Sequence, residues 1–207
     1  MTVRFREKSV IEGFSLRLAP GEKVILTGRS GAGKSTILKC ILGFVLPAAG
    51  IIRIDGELLV RESVWRLRRE MAYVAQEPDL GEGLVQDVLE RPFTYRANFH
   101  LRGNLKRTTD LFERLLLPVE LLDKEISSLS GGEKQRVALI SAILLDRRIF
   151  LLDEAASALD ETSERAIAQF FSSDDQVTVL SVSHNRQVFS DSDRIIELPY
   201  RHSEEGE

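Results

Sequence analysis

The sequence predicts an α/β domain built on a mainly parallel sheet, with an antiparallel β region and an inserted helical subdomain. Three observations predict it. Short apolar runs of strand length alternate with stretches of helical periodicity, the pattern of a parallel sheet covered on both faces. A glycine-rich loop, GRSGAGKST (Gly28 to Thr36), lies between one such run and a helix. Strand-like runs then vanish from 77 to 128, where only helical spacing such as LFERLLL remains.

Each element follows from its own residues. FSLRL (Phe14 to Leu18) alternates with period two and reads as a half-buried strand. KVILT (Lys23 to Thr27) is continuously apolar, as a covered parallel strand is. A helix from Ser35 to about Leu42 follows the glycine loop. GIIRIDGELL reads as a hairpin turning at Asp55-Gly56. Ser63 to Arg69 is a short basic helix and MAYVAQ a strand. Beyond the helical insertion come a helix over Gly132–Leu145, a strand over Ile149–Asp153, a helix over Glu161–Phe171, a strand over Val177–Val182 and a last strand near Ile195. The expected organisation is an N-terminal part of the core (1–76), a helical subdomain (77–128), a C-terminal part of the core (129–200) and a disordered tail (201–207).

Composition narrows the function classes. The 207 residues suit one packed domain, with 43% hydrophobic and 29% charged residues. Net charge is −4, so the basic surplus of a nucleic-acid binder is missing and no nucleic-acid partner is expected. The single cysteine, Cys40, lies in the apolar stretch ILKCIL and reads as a buried thiol. The longest apolar run, Ala138 to Leu145, falls far short of the ~20 residues that span a bilayer. The chain is expected to be soluble, or peripheral through another protein.

The strongest chemical signal is GRSGAGKST. Gly28, Gly33, Lys34 and Ser35 fill the fixed places of G-x-x-x-x-G-K-[ST], after an apolar strand and at a helix start. Such a loop, Gly28, Arg29, Ser30, Gly31, Ala32, Gly33, Lys34, Ser35 and Thr36, closes backbone N–H groups around phosphate, and the helix N-terminus adds positive potential. Lys34 reaches the β- and γ-phosphates, and Ser35 is a Mg²⁺ ligand candidate. IFLLDE (Ile149 to Glu154) drives a strand into the sheet and delivers two carboxylates at its C-terminal end, where α/β sites lie. Alone it also describes a strand ending in a solvated acidic turn. Beside a phosphate loop, Asp153 suits the metal shell and Glu154 suits a base acting on water. His184 ends TVLSVS and Gln76 ends MAYVAQ at the same sheet edge, so both are candidates for the γ-phosphate side, with Gln76 also able to touch Mg²⁺. A structural histidine and a loop glutamine are the alternative readings.

LSGGEKQR (Leu129 to Arg136) poses a question, because it sets a serine and two bare glycines at a helix start. Phosphate loop, SGGEKQR, LLDE, SALD and SVSH follow one another in an order and spacing that resemble the nucleotide-binding domain of ABC (ATP-binding-cassette) ATPases, over about Val3 to Leu198. The resemblance implies an ABC-type P-loop NTPase that hydrolyses ATP with Mg²⁺ held by Ser35, Gln76 and Asp153. It implies that Ser130, Gly131 and Gly132, the signature motif, bind the γ-phosphate of ATP held by a second copy, although Ser130 also reads as an ordinary helix cap. Gln76 matches the glutamine loop, Ser157 to Asp160 the D-loop and His184 the switch histidine, which with Glu154 form the catalytic set. Phe5, 29 positions before Lys34, matches the aromatic that stacks on adenine, and also reads as a buried strand residue. Ala156 and Arg29 depart from the family's common Thr and Pro without removing a catalytic group.

The resemblance further implies a homodimer of cassettes on ATP binding and a separately encoded transmembrane permease, with the cassette at the cytoplasmic face of the membrane. The stretches VAQEPDLGEGLVQDVLERPFTYR and LLLPVELLDKEISSLSGGEKQR are similar to the small cassette subunit of iron/metal exporters. A soluble ABC ATPase, an importer subunit and a small-molecule P-loop kinase stay open as alternatives. The kinase would not explain SGGEKQR.

Overall fold

The computed structural model describes residues 1–6, 8–183 and 194–199. An antiparallel hairpin opens the chain, β1 (Val3–Phe5) and β2 (Lys8–Ile11). β3 (Lys23–Thr27) is buried along its whole length and leads through the glycine loop into α1 (Lys34–Ile41). A second small hairpin, β4 (Arg53–Ile54) and β5 (Glu57–Leu58), turns at Asp55-Gly56, whose φ angles of 49° and 78° are the left-handed values such a tight turn requires. α2 (Val64–Arg68) and β6 (Met71–Val74) follow.

Residues 77–128 contain α3 (Val85–Glu90), α4 (Thr108–Arg114) and four 3₁₀ segments, with a single isolated bridge between Leu84 and Glu125. The chain then runs through α5 (Gly131–Leu144), β7 (Ile149–Asp153), α6 (Glu161–Ser172), β8 (Thr178–Val182) and β9 (Arg194–Glu197).

Five strands form one parallel sheet in the order β6–β7–β8–β3–β9. Its two faces carry two cores. On one face, β3, β7 and β8 present Val24, Leu26, Leu151, Leu180 and Val182 to Ile37, Leu38 and Cys40 of α1. On the other, Val74, Phe150, Leu152 and Val179 meet α5, α6 and the helical insertion. α5 is apolar nearly all round, with Val137, Leu139, Ile140, Ile143 and Leu144 all buried, because it lies between the sheet and the insertion. Each such side chain contributes about 1.5–3 kcal/mol in area terms. α6 is one-sided, and its Phe171 meets Phe150 edge-on at 5.0 Å. Among the described residues, no helix is long and apolar enough to cross a membrane.

One expectation is corrected. Phe14 to Leu18 form no strand. Phe14, Leu16 and Leu18 do face the core, so the alternation reports one-sided burial of an extended segment that joins no sheet ladder. β1 and β2 carry no strong sequence signal, being short, charged and joined at Arg6, whose φ of 54° replaces the usual turn glycine.

Candidate nucleotide site

The C-terminal ends of β3, β6 and β7 gather the phosphate loop, Gln76 and the two carboxylates. At Gly33, φ is 93° and an added Cβ would lie 2.9 Å from Ile11 of β2, so the N-terminal hairpin packs directly on the loop and only glycine fits. α1 starts there without a side-chain cap, which leaves its first N–H groups free of any side-chain partner. Lys34 is buried, and its Nζ donates to the carbonyls of Gly28 (2.9 Å) and Arg29 (3.2 Å), so the loop is wrapped around the ammonium. Phe5, at the outer end of the hairpin, is 48% exposed, which overturns its reading as a buried strand residue.

The carboxylates are each held by a named donor. Ser35 Oγ donates to Asp153 Oδ1 at 2.8 Å, and the Tyr73 hydroxyl donates to Oδ2 at 3.1 Å. Asp153 is buried. Burial first, then the Asp153 charge, push the Tyr73 phenol up to about 12. Gln76 Nε2 donates to Glu154 Oε2 at 3.0 Å. Glu154 has a φ of 51°, a left-handed value that a non-glycine residue takes only under the control of its surroundings. Its N–H extends the ladder to Val182 O (3.0 Å) and its carbonyl accepts from Ser157 N (3.0 Å).

Ser35 and Asp153 form a hard-oxygen pair suited to Mg²⁺, which takes one or two protein oxygens and completes its shell with phosphate and water. No group of three or more His, Cys, Asp or Glu side chains able to hold a metal occurs among the described residues.

The signature segment begins α5 with a capping box. Ser130 Oγ accepts from Glu133 N at 3.3 Å, and Glu133 Oε2 accepts from Ser130 N at 2.7 Å. The Ser130 backbone and hydroxyl hold the Glu133 carboxyl below the usual carboxylate range. The helix-cap reading of Ser130 is thus present in the geometry, with its hydroxyl engaged by both the N–H and the carboxyl of Glu133.

Two residues escaped the sequence reading. Tyr73 is one. Gln135 is the other: its buried amide donates to Gln76 O (2.8 Å) and Glu154 O (3.5 Å), and accepts from Ala158 N (3.3 Å). It joins the signature helix to the glutamine loop, the carboxylate turn and the D-loop. The only signal for either was its place, Tyr73 three residues before Gln76 and Gln135 within SGGEKQR. His184 lies outside the described residues.

A phosphate loop closed on its lysine, two consecutive carboxylates facing it and a glycine-led capped helix define a P-loop ATPase cassette. The family model described as ABC transporter matches residues 11–157. The "Probable iron export ATP-binding protein FetA" of Escherichia coli (strain K12) is 32% identical over 195 residues, 93% of this chain and 85% of that protein. The "Energy-coupling factor transporter ATP-binding protein EcfA1" of Streptococcus pyogenes serotype M1 is 33% identical over 203 residues, 92% of this chain and 70% of that protein. Among solved structures, a bacterial Atm1-family ABC exporter with ATP bound superimposes with a TM-score of 0.81 at 28% identity, covering 95% of this chain and 36% of that chain. The dimeric post-hydrolysis state of the ATP-binding cassette MJ0796 bound to ADP and Pi gives 0.77 at 26%, covering 95% and 90%.

The chain belongs to the ABC transporter family, as its ATP-hydrolysing, ATP-binding subunit.

Proposed function

We propose that two copies of this chain close around ATP and that the cycle of closing and parting drives a separately encoded permease, with the cassette at the cytoplasmic face of the membrane. The observation that carries this reading is the paired arrangement at the end of β7, where Asp153 is tied to Ser35 of the phosphate loop and Glu154 to Gln76. The MJ0796 cassette, a dimer with ADP and Pi, supports the dimeric part.

In this account Lys34 and the uncapped amides of α1 bind the β- and γ-phosphates. Ser35 and Asp153 would hold Mg²⁺, which when bound neutralises phosphate charge. Glu154 orients and deprotonates the attacking water, and Gln76 and Gln135 fix its side chain and backbone. Phe5 stacks on adenine from its exposed place on the hairpin. Ser130, Gly131 and Gly132 meet the γ-phosphate held by the other copy, and His184 belongs to the catalytic set as the switch histidine.

The E. coli relative favours export of iron or another metal. The streptococcal relative, at 33% identity, favours a second reading in which the cassette serves a transporter of another kind. Copurification of the permease, followed by a search for the solute that stimulates ATP turnover, separates the two. The dimer is tested by Glu154→Gln, which keeps shape and removes the base. Turnover should fall by about 10²-fold or more, and size-exclusion chromatography with ATP should show an accumulated dimer. A variant that stays monomeric and hydrolyses normally places the base elsewhere.

A further inference from the structure

We propose that Tyr73 is a positioning residue for Asp153: its hydroxyl fixes the carboxylate so that a single oxygen is presented, beside Ser35, to the divalent cation. This rests on the reading that Ser35 and Asp153 take Mg²⁺.

The strand register makes the contact. β6 and β7 run parallel with Tyr73 opposite Leu151. Side chains alternate between faces, so Asp153, two residues beyond Leu151, shares the face of Tyr73 and lies one diagonal step away. A tyrosine is long enough to cross that step, and its hydroxyl stands 3.1 Å from Oδ2. A phenylalanine would fill the same volume, so the hydroxyl alone supplies this contact.

The second donor matters because of what becomes of the first. Ser35 Oγ now donates to Oδ1 at 2.8 Å. Were both of these oxygens to hold a cation, Oδ1 would be shared between the cation and the Ser35 proton. Rotation about the terminal torsion of an aspartate is soft, and Asp153 as a residue is 6% exposed. Tyr73 is then the donor that still holds Oδ2 and sets the angle of Oδ1. The loop directly after this strand supplies Gln76 to Glu154. β6 and its exit loop therefore carry one donor for each of the two consecutive carboxylates at the end of β7.

The test uses the full chain and ADP, which binds without turning over. ADP affinity is measured calorimetrically in excess Mg²⁺ and in EDTA for wild type, Tyr73→Phe and Asp153→Asn. For Tyr73→Phe, affinity in EDTA should stay within about twofold of wild type, while the gain conferred by Mg²⁺ should shrink about tenfold, as loss of a partner behind a metal ligand does. The Mg²⁺ concentration for half-maximal phosphate release should rise in parallel, and the melting temperature in EDTA should not move. Asp153→Asn should lose the Mg²⁺ gain altogether. If Asp153→Asn keeps the gain, the metal assignment itself is wrong. If Asp153→Asn loses it and Tyr73→Phe retains it, or weakens ADP equally with and without Mg²⁺, Tyr73 has no positioning role.

Discussion

Gly131 and Gly132 are neighbours in the sequence and differ in what surrounds them. A Cβ on Gly132 would lie 3.0 Å from the carbonyl oxygen of Ala158 and 3.3 Å from the Leu159 side chain, so the D-loop of the same chain would have to give way by a few tenths of an ångström to admit one. A Cβ on Gly131 would meet nothing nearer than the Ala158 side chain at 4.0 Å. Packing within the chain gives Gly131 little reason to be bare, and the proposed approach of phosphate across an interface would supply one. Gly131→Ala should therefore hold or raise the melting temperature, since alanine in a helix is worth roughly 0.5–1 kcal/mol over glycine, and should still lower ATP turnover. A variant as active as wild type would remove Gly131 from the site. Lys34 makes the complementary case. In the proposed site its ammonium would face phosphate charge in a water-poor loop, an interaction on the order of several kcal/mol. Lys34→Ala should abolish phosphate release while the far-UV circular dichroism stays that of the folded chain. Unchanged turnover would sink the assignment of the loop.

At the scale of elements, α5 and α6 both begin with a serine–carboxylate cap. Ser130 pairs with Glu133, and Asp160 accepts from Ser163 N at 2.9 Å and from its hydroxyl at 3.0 Å. Both carboxylates sit below their ordinary range because these donors favour the charged form, in each case the backbone N–H first and the hydroxyl next. A group with a lowered folded pKa stabilises the fold above its unfolded value, near 4, and that contribution is lost as pH falls through the folded value. Acidification below about pH 4 should thus lower the melting temperature. The double variant Glu133→Gln/Asp160→Asn, which keeps cap geometry and removes titration, should lose less over the same window. An identical acid limb for both proteins would show that other carboxylates dominate.

These elements also show where the sequence was readable. β3 and β7 were legible because a strand covered on both faces has to be apolar throughout, and Asp55-Gly56 because few other pairs turn so tightly. Lys34, Ser35 and Asp153 were legible because phosphate chemistry restricts their types and spacing, and Gln76 through the resemblance to the family. The β1–β2 hairpin was not, since its short charged strands gain their order from packing on the phosphate loop through Ile11. Phe14 to Leu18 misled because period two encodes burial of one face, and pairing depends on a neighbour that only the fold brings. Tyr73 and Gln135 were invisible as site residues for a related reason. Each acts on a residue distant in sequence, Tyr73 across 80 positions to Asp153 and Gln135 across 59 to Gln76.

For the whole molecule, the central claim is that each ATP lies between the phosphate loop of one copy and the signature helix of the other. Ser130 and Gly131 are both exposed at the start of α5, open to such a partner. Mixing two inactive variants tests this most directly. Lys34→Ala spoils the loop, and Ser130→Arg blocks the signature surface by bulk and charge. In a mixed dimer both defects fall in one site, and the other site has an intact Lys34 facing an intact Ser130. With random pairing half the dimers are mixed and each has one good site of two, so phosphate release should return to about a quarter of the wild-type rate. Each variant alone should stay inactive. No recovery on mixing, or wild-type turnover by dilute monomeric Ser130→Arg alone, would contradict the shared site and leave Ser130 as a helix cap only.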